Sequence, residues 1–237
     1  MSIKVVLFDL DGTLLPMDQD VFVDAYFKGL AAKLAPNGYE PKALIEAIWA
    51  GTVDMIKNDG RATNEEVFWN SFTARFGERA LLDMPLFEAF YKENFDEVKV
   101  VCGFQPMAAE LVLKLKQRGK CVALATNPIF PSIATQKRIR WAGLNPEEFA
   151  LITTYENSRF CKPNLRYYEE ILEQLGARPE ECLMVGNDVR DDMVAEKLGM
   201  KVFLLMDCLI NKKELDISAY PHGNFDALLR WIDSGME

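Results

Sequence analysis

Residues 3–13 read Ile3-Lys4-Val5-Val6-Leu7-Phe8-Asp9-Leu10-Asp11-Gly12-Thr13. The run 3–8 is apolar and rich in β-branched side chains, the pattern of a buried strand. It ends in two carboxylates, and alternation puts Asp9 and Asp11 on the same side while the strand lasts. Two like charges at one strand end repel unless a counter-charge offsets them. A divalent cation does so, and oxygen ligands suit Mg²⁺. A calcium-binding EF-hand loop is a rival, but its glycine comes five residues after the first Asp and helices flank it. Here Gly12 comes three after Asp9, behind a strand. The plainer alternative is an acidic turn in which Gly12 only supplies a positive φ.

The 237 residues hold one large domain, or a core domain with a smaller companion. The net charge of −9 repels polyanions, so neither nucleic acid nor an anionic membrane is an expected partner. A small phosphorylated molecule is compatible with it, because local cations and a metal dominate a single pocket. Met1-Ser2-Ile3-Lys4 runs straight into the strand without a leader pattern, and no apolar run approaches a membrane span. Five scattered cysteines (Cys102, Cys121, Cys161, Cys182, Cys208) without a Cys-x-x-Cys read as reduced thiols, so the expected location is cytoplasmic. His222, the single histidine, lies in a turn-like stretch and is expected to be exposed. One histidine excludes a multi-histidine zinc site and argues against a Ser-His-Asp triad.

Working outward, residues 14–18 form a loop or hinge. From there to about residue 96 the apolar residues recur at helical spacing: Phe22, Tyr26, Leu30 and Leu34, then Leu44, Ile45, Ile48 and Trp49. Thr63-Asn64-Glu65-Glu66 starts a third helix with Phe68, Trp69, Phe72 and Phe76 as its stripe, and Phe87, Phe90 and Tyr91 mark another. Most of these aromatics are read as the core of a small helical insert. From Phe104 helices alternate with strands at 121–125, 150–153, 182–185 and 202–205, and the last helix covers 225–232. Such alternation implies a parallel sheet covered on both faces. Polar residues follow three strands: Asp9 and Asp11, Thr126 and Asn127, Asn187 and Asp188. Ligands of open parallel sheets bind outside the carboxyl ends of neighbouring strands. The first strand is therefore central, and the expected order of the five strands is 5-4-1-2-3.

Asp9-Leu10-Asp11-Gly12-Thr13 resembles the first motif, Asp-x-Asp-Gly-Thr, of the haloacid dehalogenase-like superfamily. Thr126-Asn127 resembles its second motif, and Lys162-Pro163 its third, a lysine just before a helix. Residues 186–192, Gly186-Asn187-Asp188-Val189-Arg190-Asp191-Asp192, resemble the fourth, usually Gly-Asp followed four or five residues later by Asp. The match departs there, because Asn187 follows the glycine. Either Asp188 is the main metal carboxylate or Asn187 supplies an amide oxygen in its place. A carboxylate binds a hard cation better, which favours Asp188, with Asp192 a second ligand or an outer partner. The resemblance covers residues 1–15 and 98–237 as an α/β core domain, doubly wound and Rossmann-like. The insert 16–97 matches a helical C1-type cap in position and helical character.

The resemblance implies a Mg²⁺-dependent phosphomonoester hydrolase acting on a small phosphorylated metabolite. Asp9 would be the nucleophile and Asp11 the general acid–base. Asp9, Asp11, Asp188 and Asp192 form the expected metal set, and Thr126, Asn127 and Lys162 the phosphate-binding set. A phosphomutase of the same fold and a non-catalytic binding module are the alternatives, and the presence of Asp11 argues against a dehalogenase. Asp18, Gln19, Lys57, Arg61 and Trp69 are candidate selectors in the insert. The sequence leaves substrate and oligomeric state open.

Overall fold

A strand that is apolar at every position needs cover on both faces. In the computed structural model, which describes residues 2–235, strand β1 (Val5–Phe8) is fully buried. The described residues form a five-stranded parallel sheet with β2 (Cys121–Leu124), β3 (Cys182–Gly186), β4 (Lys201–Leu205) and β5 (His222–Gly223), ordered β2-β1-β3-β4-β5. Alternation divides the strand residues between two cores. Val6, Phe8, Leu124, Val185 and Phe203 face one, and Val5, Leu7, Ala123, Met184 and Leu204 face the other. On each side of β1, Phe8 pairs with Leu124 and with Val185. The chains that leave these strands therefore emerge side by side.

The expected strand neighbours are all present, with two adjustments at the edges. Residues 150–153 run beside β2 but form a single parallel bridge, Ile152 to Leu124. Backbone hydrogen bonds still join the segment to β2 (Ala150 N to Val122 O, Leu124 N to Leu151 O, Thr153 N to Leu124 O), but just beyond it Asn157 ends the pairing: its Nδ2 donates to Ile152 O, and its Oδ1 accepts from Thr154 N. At the opposite edge the turn-like stretch around His222 is a short strand, and its ring is exposed as expected. The helix expected from Asp191 is a 3₁₀ segment, Met193–Leu198. Asp188 Oδ1 accepts from both Arg190 N and Asp191 N, which ties that stretch into a turn before a helix can begin.

Between β1 and β2 lies the helical insertion. Helix α1 (Gln19–Leu34) is capped by Asp18, and α2 (Pro41–Ile56) by Glu40 with Pro41 in its first turn. A reciprocal capping box of Thr63 and Glu66 starts α3 (Asn64–Phe76), where the sequence placed a helix start. The short α4 (Arg79–Leu82) and then α5 (Met84–Glu93) complete it. Its aromatic stripe is a core, as read, and that core is continuous with the first face of the sheet. Phe95 stacks on Trp141, and Tyr26 meets Phe130 edge-on at 5.3 Å. The two connections run together, Met17 bridging antiparallel to Cys102. Helices α6 (Met107–Gln117), α7 (Ser132–Trp141) and α9 (Phe225–Asp233) share that face, while α8 (Leu165–Leu175) covers the other. No helix among the described residues is long and apolar enough to cross a membrane.

Candidate active site

The register that aligns Phe8, Leu124 and Val185 delivers Asp9, Thr126 and Asn187 to one edge of the sheet. Lys162 reaches them from the loop before α8. Its Nζ donates to Asp9 Oδ1 at 2.9 Å and to Asp192 Oδ1 at 2.7 Å, and all three side chains are buried. Asp192 Oδ2 accepts from Asp188 N at 2.9 Å, so both its oxygens are engaged. This carboxylate lies so close to Gly186 that a Cβ there would sit 2.1 Å from Asp192 Oδ2, which explains the glycine.

Burial raises the Asp9 carboxyl to about 7 despite the pull of Lys162, and the charges of Asp192 and Asp11 add to the rise. Burial alone would lower the Lys162 ammonium, but Asp192 and Asp9 outweigh it and hold it well above the usual lysine range. Asp9 is thus an acid whose charge is costly to keep, balanced by one cation shared with a second acid.

The other side of Asp9 faces Thr13. Thr13 Oγ1 donates within 3.4 Å of Asp9 Oδ2 and 3.1 Å of Asn187 Oδ1, and Asn187 Nδ2 donates to Cys208 O. Asn187 is almost fully buried against Gly12, whose φ of +84° and lack of a Cβ leave room for the amide. Asp188 does not turn the same way: its Oδ1 is bound to the amides of its own loop. Of the two residues the fourth motif left in competition, Asn187 is the one packed against the first motif. Among the described residues no three acidic, histidine or cysteine side chains converge as a metal cage.

The phosphate-binding candidates are brought to the same edge. Thr126 is buried, and its carbonyl accepts from Thr153 Oγ1 and the Tyr167 hydroxyl, which fixes the loop. Asn127 Oδ1 accepts from Lys162 N at 3.3 Å, joining the second and third motifs. Cys161 beside the lysine is buried, and burial pushes its thiol up to about 12, so it stays protonated.

Two residues were not singled out from the sequence. Arg138 of α7 is completely buried and ion-paired to Asp11 Oδ2, with its guanidinium 4.5 Å from the Phe130 ring centroid. Asp11 Oδ1 is buried without a partner. The available signal was the helical stripe Ala134, Thr135, Arg138, Ile139, in which an arginine occupies an inward position. Asn64 at the start of α3 is also fully buried. Its Nδ2 donates to Pro128 O and Cys161 Sγ, and its backbone N to Ser158 O. It ties the insertion to the loops that carry Asn127 and Lys162. Among the expected selectors, Lys57 and Arg61 are exposed, Asp18 caps α1, Gln19 is exposed, and Trp69 is buried in the insertion.

The family model of haloacid dehalogenase-like hydrolases matches residues 3–199. The chain belongs to that family. Among its relatives, the glyceraldehyde 3-phosphate phosphatase of Methanothermobacter thermautotrophicus is 28% identical over 209 residues, 86% of this chain and 85% of its own. The pyrophosphatase PpaX of Bacillus cereus is 25% identical over 201 residues, 85% of this chain and 82% of its own. In fold, the haloacid dehalogenase-like hydrolase YfnB of Bacillus subtilis, crystallised bound to magnesium, is similar with a TM-score of 0.57 at 19% identity, covering 98% of this chain and 100% of that one. The family is thus one of hydrolases with phosphatases among its members, and the inserted helices stand where the resemblance expects a cap.

Proposed function

We propose that this chain is a Mg²⁺-dependent phosphomonoesterase that uses Asp9 as its nucleophile. One observation carries the reading: a buried lysine shares its ammonium between Asp9 and Asp192 at the end of the central strand, with Asp11 two residues on. The cation offsets the charge of Asp9 and can hold an incoming phosphate at the same time. Asp11 suits the task of giving a proton to the leaving oxygen and taking one from water. Arg138 anchors its Oδ2, and the unpartnered Oδ1 is left for proton transfer. Thr126, Asn127 and Lys162 are assigned to the equatorial phosphate oxygens.

The donor set fits a hard cation. Asp9 Oδ2, Thr13 Oγ1 and Asn187 Oδ1 form a row of oxygens beside the first motif. Asp9 through its carboxylate and Asp11 through its backbone carbonyl would hold Mg²⁺, with Asn187 in the place favoured for Asp188 by charge alone. Asp192 takes the outer role, as the partner of Lys162. When bound, Mg²⁺ supplies neutralising charge between the carboxylates and the phosphate. The domain reading, 1–15 and 98–237 as core and 16–97 as cap, belongs to the same proposal. Asn64 then joins the cap to both phosphate loops.

Phosphate release from p-nitrophenyl phosphate, measured with and without Mg²⁺, tests this reading. Hydrolysis that needs the cation is expected, and no hydrolysis under either condition contradicts it. A thermal-shift series gives a second readout. Because Asp9 is raised to about 7 when folded, the folded state holds a proton that the unfolded chain has lost between roughly pH 4 and 7. Its contribution to stability therefore falls as pH rises through that window. Mg²⁺ should raise the melting temperature of the metal-free protein, and more at pH 8 than at pH 5.5, where the proton competes.

Arg138 gives a separate prediction. Arg138→Lys keeps a cation but not the planar fork that reaches Asp11 Oδ2 while anchored on Thr135 Oγ1 and Ala134 O. Hydrolysis of an alkyl phosphate, whose leaving oxygen needs a proton, should fall about 10²-fold, the scale of general acid catalysis. p-Nitrophenyl phosphate should suffer much less. Equal losses on both esters would make Arg138 purely structural.

A further inference from the structure

Between the insertion and the segment that follows Asn127 lies a cavity of about 460 Å³. Its walls are aromatic, with Trp49, Phe68, Trp69, Phe130 and Tyr155 among them. Phe68 and Trp69 meet edge-on at 5.3 Å, so the rings form a fixed wall. Three carboxylates, Glu65, Glu88 and Glu156, also line it, and no lysine or arginine does. Glu88 lies at the surface with Lys92 as its partner. Glu156 accepts the Ser132 amide through both oxygens and stays in place. Burial raises the Glu65 carboxyl, and the charges of Glu156 and Glu66 add to the rise.

This lining rejects phosphate, which finds its cations at Lys162 instead. A neutral apolar guest would fill the aromatic box but leave two like charges facing each other. A cation with an apolar surface satisfies both, through ring faces and carboxylates together. We propose that this cavity binds an organic ammonium group. Its carrier, resting on the phosphatase reading above, is the substrate: a phosphate ester of an amino alcohol. The cavity wall begins close to the second phosphate-binding motif. Ile129 on the cavity wall is two residues beyond Asn127, so the two are at most about 7 Å apart along the chain.

The test has a binding arm and a catalytic arm. Trp49 and Trp69 line the cavity, so their fluorescence reports on its occupant. At constant ionic strength, choline should give a saturable change. Its neutral isostere 3,3-dimethylbutanol should bind about tenfold more weakly, the scale of a desolvated cation–π contact. Glu65→Gln, which removes one of the carboxylates facing the cation, should reduce that preference. Equal binding of choline and the isostere, or an unchanged preference in Glu65→Gln, overturns the proposal. In the catalytic arm, wild type should favour phosphocholine over 3,3-dimethylbutyl phosphate about tenfold in kcat/KM. Glu65→Gln should narrow this gap while hydrolysing p-nitrophenyl phosphate normally. Choline binding without the catalytic gap keeps the ammonium site and overturns the substrate assignment. Absence of all hydrolysis overturns the phosphatase reading, and the binding arm still decides the cavity.

Discussion

Asp9→Asn should abolish turnover while leaving the fold intact. An amide oxygen is a poor nucleophile towards phosphorus, so kcat should drop by about 10⁶-fold, the order seen when an enzyme loses its attacking group. The fold should survive for an electrostatic reason. Asp9 is raised to about 7, so at pH 8 its charge is held against burial and against Asp192 and Asp11. The amide removes that cost and leaves Lys162 paired with Asp192 at 2.7 Å. In metal-free buffer at pH 8 the melting temperature should therefore stay level or rise. Activity lost together with a higher melting temperature marks a site whose chemistry is held at the expense of stability. A large fall in melting temperature would make Asp9 a structural residue.

Lys162→Met should damage both stability and activity. The ammonium is the partner that Asp9 and Asp192 share in a buried site. Removing it leaves two carboxylates uncompensated, and breaking a buried pair in this way costs about 3–5 kcal/mol. That is a large part of the roughly 5–15 kcal/mol that holds a domain together. The sign with pH follows from the same groups. Without the cation Asp9 loses the charge that pulls its carboxyl down, so the folded variant takes up a proton more readily as pH falls. Its deficit relative to wild type, read from urea unfolding, should shrink from pH 8 to pH 5.5. The double variant Lys162→Met/Asp192→Leu should regain part of the stability, because one of the stranded charges is gone, but none of the activity. A deficit that widens on acidification would contradict the shared-cation arrangement.

What could be read before the structure was local and periodic. The first strand announced itself by an unbroken apolar run, and its parallel neighbours by the same pattern, because strands covered on both faces have no polar side. The Thr63–Glu66 capping box is a four-residue signal, and it starts α3 where expected. The contacts that join distant segments were harder to see. Arg138 is flanked by Lys137 and Arg140, and a basic helix turn reads as solvated surface; only its place among Ala134, Thr135 and Ile139 marks it as inward. Asn64 looks like an ordinary helix-start residue, yet its amide is spent on Pro128 and Cys161 across the chain. The choice between Asn187 and Asp188 was open because charge favours the acid while packing decides which side chain faces Gly12. The edge segment at 150–153 is paired with β2 as expected but counts as a single bridge, because Asn157 takes Ile152 O and Thr154 N and stops the ladder there.

A covalent phosphoryl group on Asp9 is the central claim, and the Asp11→Asn enzyme is where to look for it. That variant keeps the nucleophile but lacks the group that activates water. With p-nitrophenyl phosphate, whose leaving group needs no proton, the first transfer should outlast the second. Rapid acid quench followed by peptide mass mapping should then find phosphate on the peptide that carries Asp9, and none in Asp9→Asn. Phosphate on another residue, or full activity in Asp9→Asn, would contradict the account.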